Sequence, residues 1–350
     1  MNPRTSHRRT FRRIHVLPSL LTLGNFSCGF ISIVLCLNAL FFATRAQLME
    51  ERMPEAAKTV ALPVPPTASG VSVPLEKERR HAIAMGSVSG NKARAGYLFH
   101  WACVIIFFGM MFDVLDGKVA RAMGASTAFG TELDSLADVT SFGIAPAIIV
   151  NTISLAVMPA TYAWWTQVII FGVIFAICTV LRLARYNIQS GVADKNIFSG
   201  LPSPAAAGCV VSAVLFFEGD YQWLDAICSW FSGNTFIGLD VAQVKARLLS
   251  FFQLVPGLLM VTTIPFSHLA NRYLSGKKSF SILVIAVLLI ALIWYEPRLM
   301  LFLCFNGYLA IGLFAAARNK LRGKPATVNY GSGNEADAAE PLDGTGANKH

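Results

Sequence analysis

A chain of 350 residues with 54% hydrophobic and only 14% charged residues lies far from a soluble domain, in which roughly 25% of residues carry charge. Its net charge of +9 comes without aromatic–basic interleaving or any nucleic-acid motif, so it points to an anionic membrane surface rather than to nucleic acid. A soluble enzyme and a nucleic-acid binder are thereby excluded, and the fold class is an all-α, polytopic integral membrane protein.

A bilayer crossing needs about 20 apolar residues. Uncharged runs of that length lie at 16–44, 95–112, 248–271, 279–295 and 299–317. The run from Val139 to Leu181 is long enough for two spans, with a break near Met158-Pro159 and the Trp164-Trp165 pair. Pro204 to Phe217 is a shorter candidate. The expectation is a bundle of about eight transmembrane helices.

Residues 1–15 are basic (Arg4, Arg8, Arg9, Arg12, Arg13). The apolar run that follows is too long for a signal-peptide core and lacks a small-residue cleavage site, so 16–44 reads as a first transmembrane helix. Pro18, Thr22 and Asn25, spaced by four and three, share one face of it. That polar stripe either hydrogen-bonds a neighbouring helix or lines a pocket. Residues 45–94 contain ALPVPPTASGVSVP and read as a flexible insertion on the periplasmic side.

The catalytic core is expected in 95–217. The second helix, about 95–121, carries Asp113 and Asp116, and a third, from about Gly130, carries Asp134 and Asp138. Spacings of three and four put each pair on one helix face, and the intervening AMGASTAFG suits a break between helices. An ionised Asp at mid-membrane costs about 2.5–3.5 kcal/mol. Four of them, with Glu132 beside, imply a cation that offsets them, and hard divalent ions such as Mg²⁺ or Mn²⁺ take this kind of oxygen ligand. Gly117 and Ala120 leave room beside Asp116, and Arg121 offers a planar cation suited to phosphate. The plainer reading is a solvated acidic loop.

Ser141, Gly143 and Pro146 should let the third helix pack closely or kink. The fourth helix ends at RLARYN, whose Arg182 and Arg185 read either as membrane-edge anchors or as holders of an anionic group level with the aspartates. GLPSPAAAG, from Gly200 to Gly208, is a turn followed by a small-residue helix, and Ser203 and Asn187 are polar groups near such a pocket. Residues 218–247, with Trp223, Trp230, Phe231 and Phe236, read as a periplasmic segment lying along the interface. The spans within 248–317 look structural, facing lipid or contributing to a homodimer. The polar, Gly-rich stretch 318–350 reads as a disordered tail.

Charge placement orients the bundle. With the N-terminus inside, the aspartate stretch, Arg182-Arg185, Arg272-Lys277-Lys278 and Arg318-Lys320-Arg322-Lys324 all fall on the cytoplasmic side, as does the C-terminus. The seven cysteines are scattered without a CxxC pair and read as small buried hydrophobes. His100 and His268 are unpaired helical histidines, which argues against zinc.

Asp113-x2-Asp116-Gly117-x2-Ala120-Arg121-x8-Gly130-x3-Asp134-x3-Asp138 resembles, with no departure, the signature of the CDP-alcohol phosphatidyltransferases. LPSLLTLGN, ELDSLADVTSFGIAPA, RLARYN and GLPSPAAAG resemble the phosphatidylserine synthase branch, and the similarity covers most of the chain outside 45–94 and the tail. The resemblance implies transfer of a phosphatidyl group from CDP-diacylglycerol to an alcohol, with release of CMP. L-Serine is the implied acceptor, with glycerol 3-phosphate as the alternative. It further implies a bacterial inner-membrane protein among membrane lipids, its site facing the cytoplasm and holding two Mg²⁺ or Mn²⁺ ions. Asp113, Asp116 and Asp134 are then metal ligands, and Asp138 is the general base that also touches a metal. Gly117, Ala120 and Gly130 let the nucleotide approach, Arg121 serves the phosphates, Thr22 and Asn25 line the nucleotide pocket, and Arg182 and Arg185 hold the acceptor. A cation-coupled transporter is the reading from another class. Such proteins bind near the midplane between repeated halves, and no second aspartate cluster or repeat occurs here.

Overall fold

The computed structural model describes residues 16–52, 72–123, 128–157, 162–189, 200–219, 221–234, 240–262, 264 and 295–321. Every regular element among them is helical: α1 (Val16–Glu51), α2 (Ser72–Met123), α3 (Ala128–Asp138), a π-helical stretch (Val139–Ile144), α4 (Ala145–Val157), α5 (Tyr162–Gln189), α6 (Ser203–Phe217), α7 (Gln222–Asn234), α8 (Val241–Phe252), α9 (Leu254–Val261) and α10 (Pro297–Leu321). Among the described residues, six stretches are long and apolar enough to cross a membrane: Leu17–Glu51, Met85–Met123, Phe129–Val157, Trp164–Ile188, Val241–Val261 and Pro297–Arg318. The expected seventh span, Ser203–Phe217, is shorter. The expected span at 279–295, the basic stretch 1–15 and the tail from 322 lie outside the described residues.

α1 and α2 form a long antiparallel pair, and small residues let them close. Gly24 faces the Phe112 ring, Gly109 faces the Asn25 side chain, and Ser32 Oγ donates to the Ala102 carbonyl at 2.9 Å. Cys36, Ala39, Ala102, Cys103 and Ile106 are sealed along the same seam. Both helices outrun the spans expected from sequence. α1 continues to Glu51 and α2 begins at Ser72, so much of the stretch expected to be a flexible insertion at 45–94 is helix, and only 53–71 lies outside the described residues. The 52 residues of α2 would span about 78 Å against a hydrocarbon core of about 30 Å. Lys92 pairs with Glu50 at 2.7 Å where the two helices run on.

The span Val241–Val261 also departs from a charge-based reading. It begins at Val241, inside the stretch expected to lie along the interface up to 247, of which α7 is the separate helical part. The charges that disguised its start are accommodated: Lys245 pairs with Asp225 at 2.5 Å, and the Arg247 guanidinium sits 3.5 Å from the Trp164 ring centroid. Asp240 caps the first turn, accepting from the Val241 N–H at 2.8 Å.

α6 is the hub. It is apolar all round, the pattern of a helix enclosed on every side, and nearly every residue from Ala206 to Phe216 is buried. Its small residues admit neighbours at close range: Phe305 of α10 lies directly over Gly208, and Asn306 Nδ2 reaches the Ser212 hydroxyl at 3.3 Å. α3 runs through the π-helical stretch into α4 without a break in helical backbone. Pro146 offers no N–H and would crowd the carbonyl four residues back in a regular helix. The wider turn relieves that conflict, and the Ala145 N–H instead bonds the Thr140 carbonyl five residues back. The close packing expected of Ser141 and Gly143 is present, with Ser141 against Gly29 and Gly143 against Thr179. The break expected near Met158-Pro159 lies outside the described residues, after α4 ends at Val157 and before α5 begins at Tyr162.

The turn into α6 is clamped to the end of α9. Gly200 has φ +88°, its N–H donates to the Ile264 carbonyl at 2.9 Å, and the Leu201 N–H donates to the Leu259 carbonyl at 3.2 Å. A Cβ at position 200 would stand 2.8 Å from the Thr262 carbonyl oxygen as well as strain the left-handed backbone. Gly200→Ala is therefore expected to cost about 1–3 kcal/mol, read as a lower thermal unfolding midpoint of the detergent-solubilised protein.

Candidate functional site

The site forms where the C-terminal part of α2, the end of α3 and the starts of α1 and α6 converge. Asp113 and Asp116 lie three residues, just under one turn, apart on α2, and Asp134 and Asp138 lie four residues, just over one turn, apart on α3. Carboxylate oxygens of Asp113, Asp134 and Asp138 all lie within 4.8 Å of one another. Asp116 does not join that group. It is buried, and its carboxylate accepts a short hydrogen bond from the Thr22 hydroxyl of α1. Four aspartates were expected to share one space, and three do. The fourth is turned to the adjoining helix, where a hydroxyl satisfies it.

Asn25, fully buried, donates from Nδ2 to Asp138 Oδ1 at 3.2 Å. The amide is held in turn: its residue's carbonyl accepts from the Ser141 hydroxyl at 2.7 Å, and its Oδ1 lies against Gly109, where a Cβ would come within 3.1 Å. Of the two readings of the polar stripe on α1, the contacts seen are those to neighbouring helices. Thr22 and Asn25, expected at the nucleotide, each spend a donor on an aspartate.

Arg182, near the end of α5, attracts both Asp138 and Asp113, and its Nη1 donates to the Ser203 hydroxyl at 2.6 Å. Ser203 is itself fully buried at the first turn of α6. Arg185 is directed elsewhere: its Nη1 donates to the Val261 carbonyl at the end of α9, at 3.3 Å. The two arginines grouped by sequence thus part company, one facing the carboxylates and one tying α5 to α9. Asn187 donates to the Ser135 hydroxyl at 3.0 Å, which links the end of α5 to the turn between Asp134 and Asp138. Nothing in the sequence pattern singled out Ser135, and Ser141 was expected to pack closely but not to hold Asn25, since a lone serine in an apolar helix has no signature of its partner.

The mouth carries the remaining motif residues. Arg121 is exposed in the last turn of α2, and its guanidinium lies over Gly117, 3.6 Å from where a Cβ would stand. Ala120 and Gly130 are half-buried. The donor set fits a hard divalent cation: all ligands are carboxylate oxygens, they come from two helices, and they converge from rigid backbone.

The model for the CDP-alcohol phosphatidyltransferase family matches residues 87–237, which contain all four aspartates and Arg182. A CDP-diacylglycerol–serine O-phosphatidyltransferase from Helicobacter pylori is 32% identical over 222 residues, covering 63% of this chain and 81% of that protein. A protein of the same name from Bacillus subtilis is 36% identical over 112 residues, 32% of this chain and 59% of its own length. An archaetidylserine synthase from Methanothermobacter thermautotrophicus is 39% identical over 127 residues, 36% of this chain and 50% of that one.

Removing a donor to a buried carboxylate leaves the acceptor unsatisfied, at about 1–3 kcal/mol. Thr22→Val, which keeps the shape and deletes the hydroxyl, is expected to lower the unfolding midpoint measured in EDTA. An unchanged midpoint would mean that the Thr22–Asp116 contact contributes nothing to the fold.

Proposed function

This chain belongs to the CDP-alcohol phosphatidyltransferase family, and from that premise we propose that it transfers the phosphatidyl group of CDP-diacylglycerol to L-serine, giving phosphatidylserine and CMP. The observation that carries the reading is the convergence of Asp113, Asp134 and Asp138 within 4.8 Å at one end of a membrane-spanning bundle. The names of the Helicobacter pylori and Bacillus subtilis relatives support serine as the acceptor.

The reaction needs a wet, cation-bearing mouth for the cytidine diphosphate and a lipid face for the two acyl chains. Bundle helices exposing apolar side chains at the level of an acidic cluster meet both needs. The three converging aspartates hold the metal, Mg²⁺ or Mn²⁺ and two ions in number, with Asp116 adjoining. When bound, such ions neutralise the diphosphate and favour in-line displacement at phosphorus. Asp138 takes the proton from the serine hydroxyl as its oxygen bonds the phosphatidyl phosphorus and the bond to CMP breaks. The Asn25 amide donates to its Oδ1 and so fixes the orientation of the carboxylate that takes the proton. Arg182, braced by Ser203, binds the serine carboxylate or the lipid phosphate. Arg121 attends the diphosphate, with Gly117, Ala120 and Gly130 keeping the approach clear.

The site faces the cytoplasm in an eight-helix bundle of the bacterial inner membrane, with both termini inside. The cations at Arg182-Arg185 and Arg318-Lys320-Arg322 support that orientation, since they fall on the side of the aspartates when the spans alternate. Glycerol 3-phosphate is disfavoured as acceptor because a second phosphate calls for more positive charge than Arg182 supplies beside the carboxylates.

Purified protein with CDP-diacylglycerol, labelled serine and Mn²⁺ or Mg²⁺ is expected to release CMP, and to lose that activity in EDTA. Glycerol 3-phosphate or inositol in place of serine should give little product; equal turnover with either would overturn the choice of acceptor. Asp138→Asn keeps an acceptor for Asn25 and should leave the fold intact, while CMP release falls by about 10²–10⁴-fold. Near-normal turnover would remove Asp138 as the base.

A further inference from the structure

A second concave site lies at the other end of the bundle. Its cavity of about 600 Å³ falls within the range of roughly 300–1,000 Å³ typical of small-molecule pockets. It is framed by α1, α2, α4, α6 and α8, and its inner wall includes Phe99, Ile153, Val214 and Leu249. From Asp113 back to Lys92 on its rim, α2 rises about 32 Å, close to the thickness of the hydrocarbon core. The cavity therefore belongs to the leaflet opposite the aspartates and plays no part in the site described above.

The rim is charged, but its charges differ in what they have left to offer. Lys92 is paired with Glu50 at 2.7 Å and Lys245 with Asp225 at 2.5 Å. Asp240 caps α8. Glu218, half-buried just past the end of α6, lines the cavity with its carboxylate held by no hydrogen bond or ion pair among the described residues, and Arg298 is the cation whose charge reaches it. The two lysines on the rim are each paired with a carboxylate, whereas the Glu218 carboxylate has no contact partner among the described residues, so what the cavity can still take up there is a cationic hydrogen-bond donor. Beneath that carboxylate the wall is apolar.

We infer that this cavity is a binding site for an amine-bearing phospholipid, with the ammonium group at Glu218 and the upper acyl chain against Phe99, Val214 and Leu249. A lipid is the occupant rather than a soluble amine because the apolar wall continues below the charged rim and the site sits at a membrane surface. A charge-assisted contact to one carboxylate also discriminates by head group: an ammonium donates to it, whereas an anionic head is repelled.

The test uses the full-length protein in detergent, incubated with phosphatidylethanolamine or phosphatidylglycerol of matched chains and read by native mass spectrometry. Wild-type protein should retain phosphatidylethanolamine over phosphatidylglycerol by about tenfold. Glu218→Gln should erase that preference. Gly96→Leu fills the cavity from a position where an added Cβ meets nothing within 4 Å, and it should reduce retention of phosphatidylethanolamine at this site. Equal retention of the two lipids by wild type, a preference that survives Glu218→Gln, or phosphatidylethanolamine retention unchanged by Gly96→Leu would overturn the inference. No CMP release is measured, so the outcome is independent of the transfer reaction proposed above.

Discussion

Like charges at close range set the terms of this molecule. Two carboxylates 4.8 Å apart repel by about 3–4 kcal/mol at an effective dielectric near 20, and here three meet at the end of an apolar bundle. Left to themselves they would splay, and the helices that carry them would follow. Several features oppose that. The Asn25 amide takes up part of the charge on Asp138, the Thr22 hydroxyl draws Asp116 aside, and the Arg182 guanidinium supplies positive charge toward Asp138 and Asp113. What stays uncompensated is attraction for a hard cation. The same electrostatic tension that threatens the fold is what makes the site useful.

Holding those groups in place is a packing problem solved largely with small side chains. α1 can deliver Thr22 and Asn25 only because Gly24, Gly29 and Gly109 allow backbone and ring to approach without an intervening Cβ. α6 performs the matching task for Arg182. Its first residue, Ser203, is buried and aimed at the guanidinium, while Gly208 further along admits Phe305. The hub helix thus positions a charged side chain of α5 from one end and anchors α10 along its length.

Much of this was legible in the chain. Aspartates at spacings of three and four can share a helix face only in one way, and an acidic pair on each side of a glycine-containing break predicts their meeting. The end of α4 and the enclosed character of α6 likewise follow from local composition. Other features were hidden because they depend on partners distant in sequence. Thr22 and Asn25 read equally as pocket residues or as partners of a neighbouring helix, since nothing in α1 reveals that aspartates 94 and 113 positions away take their donors. Asp116 matched its neighbour Asp113 in sequence yet faces another helix. The start at Val241 was obscured because Lys245 and Arg247 read as loop charges until Asp225 and Trp164 are seen beside them. Arg182 and Arg185, three residues apart, were treated as a pair, although the roughly 60° between them around the helix axis sends one to the carboxylates and the other to a carbonyl of α9.

The π-helical turn from Val139 to Ile144 carries a consequence for how tightly the length of this segment is constrained. Each residue added to a helix advances the chain by about 100°, so the extra residue in that turn acts as a phase adjuster within one continuous rod. Upstream of it, Asp134 and Asp138 face the other acidic helix; downstream, Ala145, Ile149 and Thr152 face the core. Removing a single residue there would swing one half against the other by that angle, and either the carboxylates or the core stripe would point the wrong way. Side chains in the turn can be exchanged for others of similar volume, whereas its residue count has no such freedom.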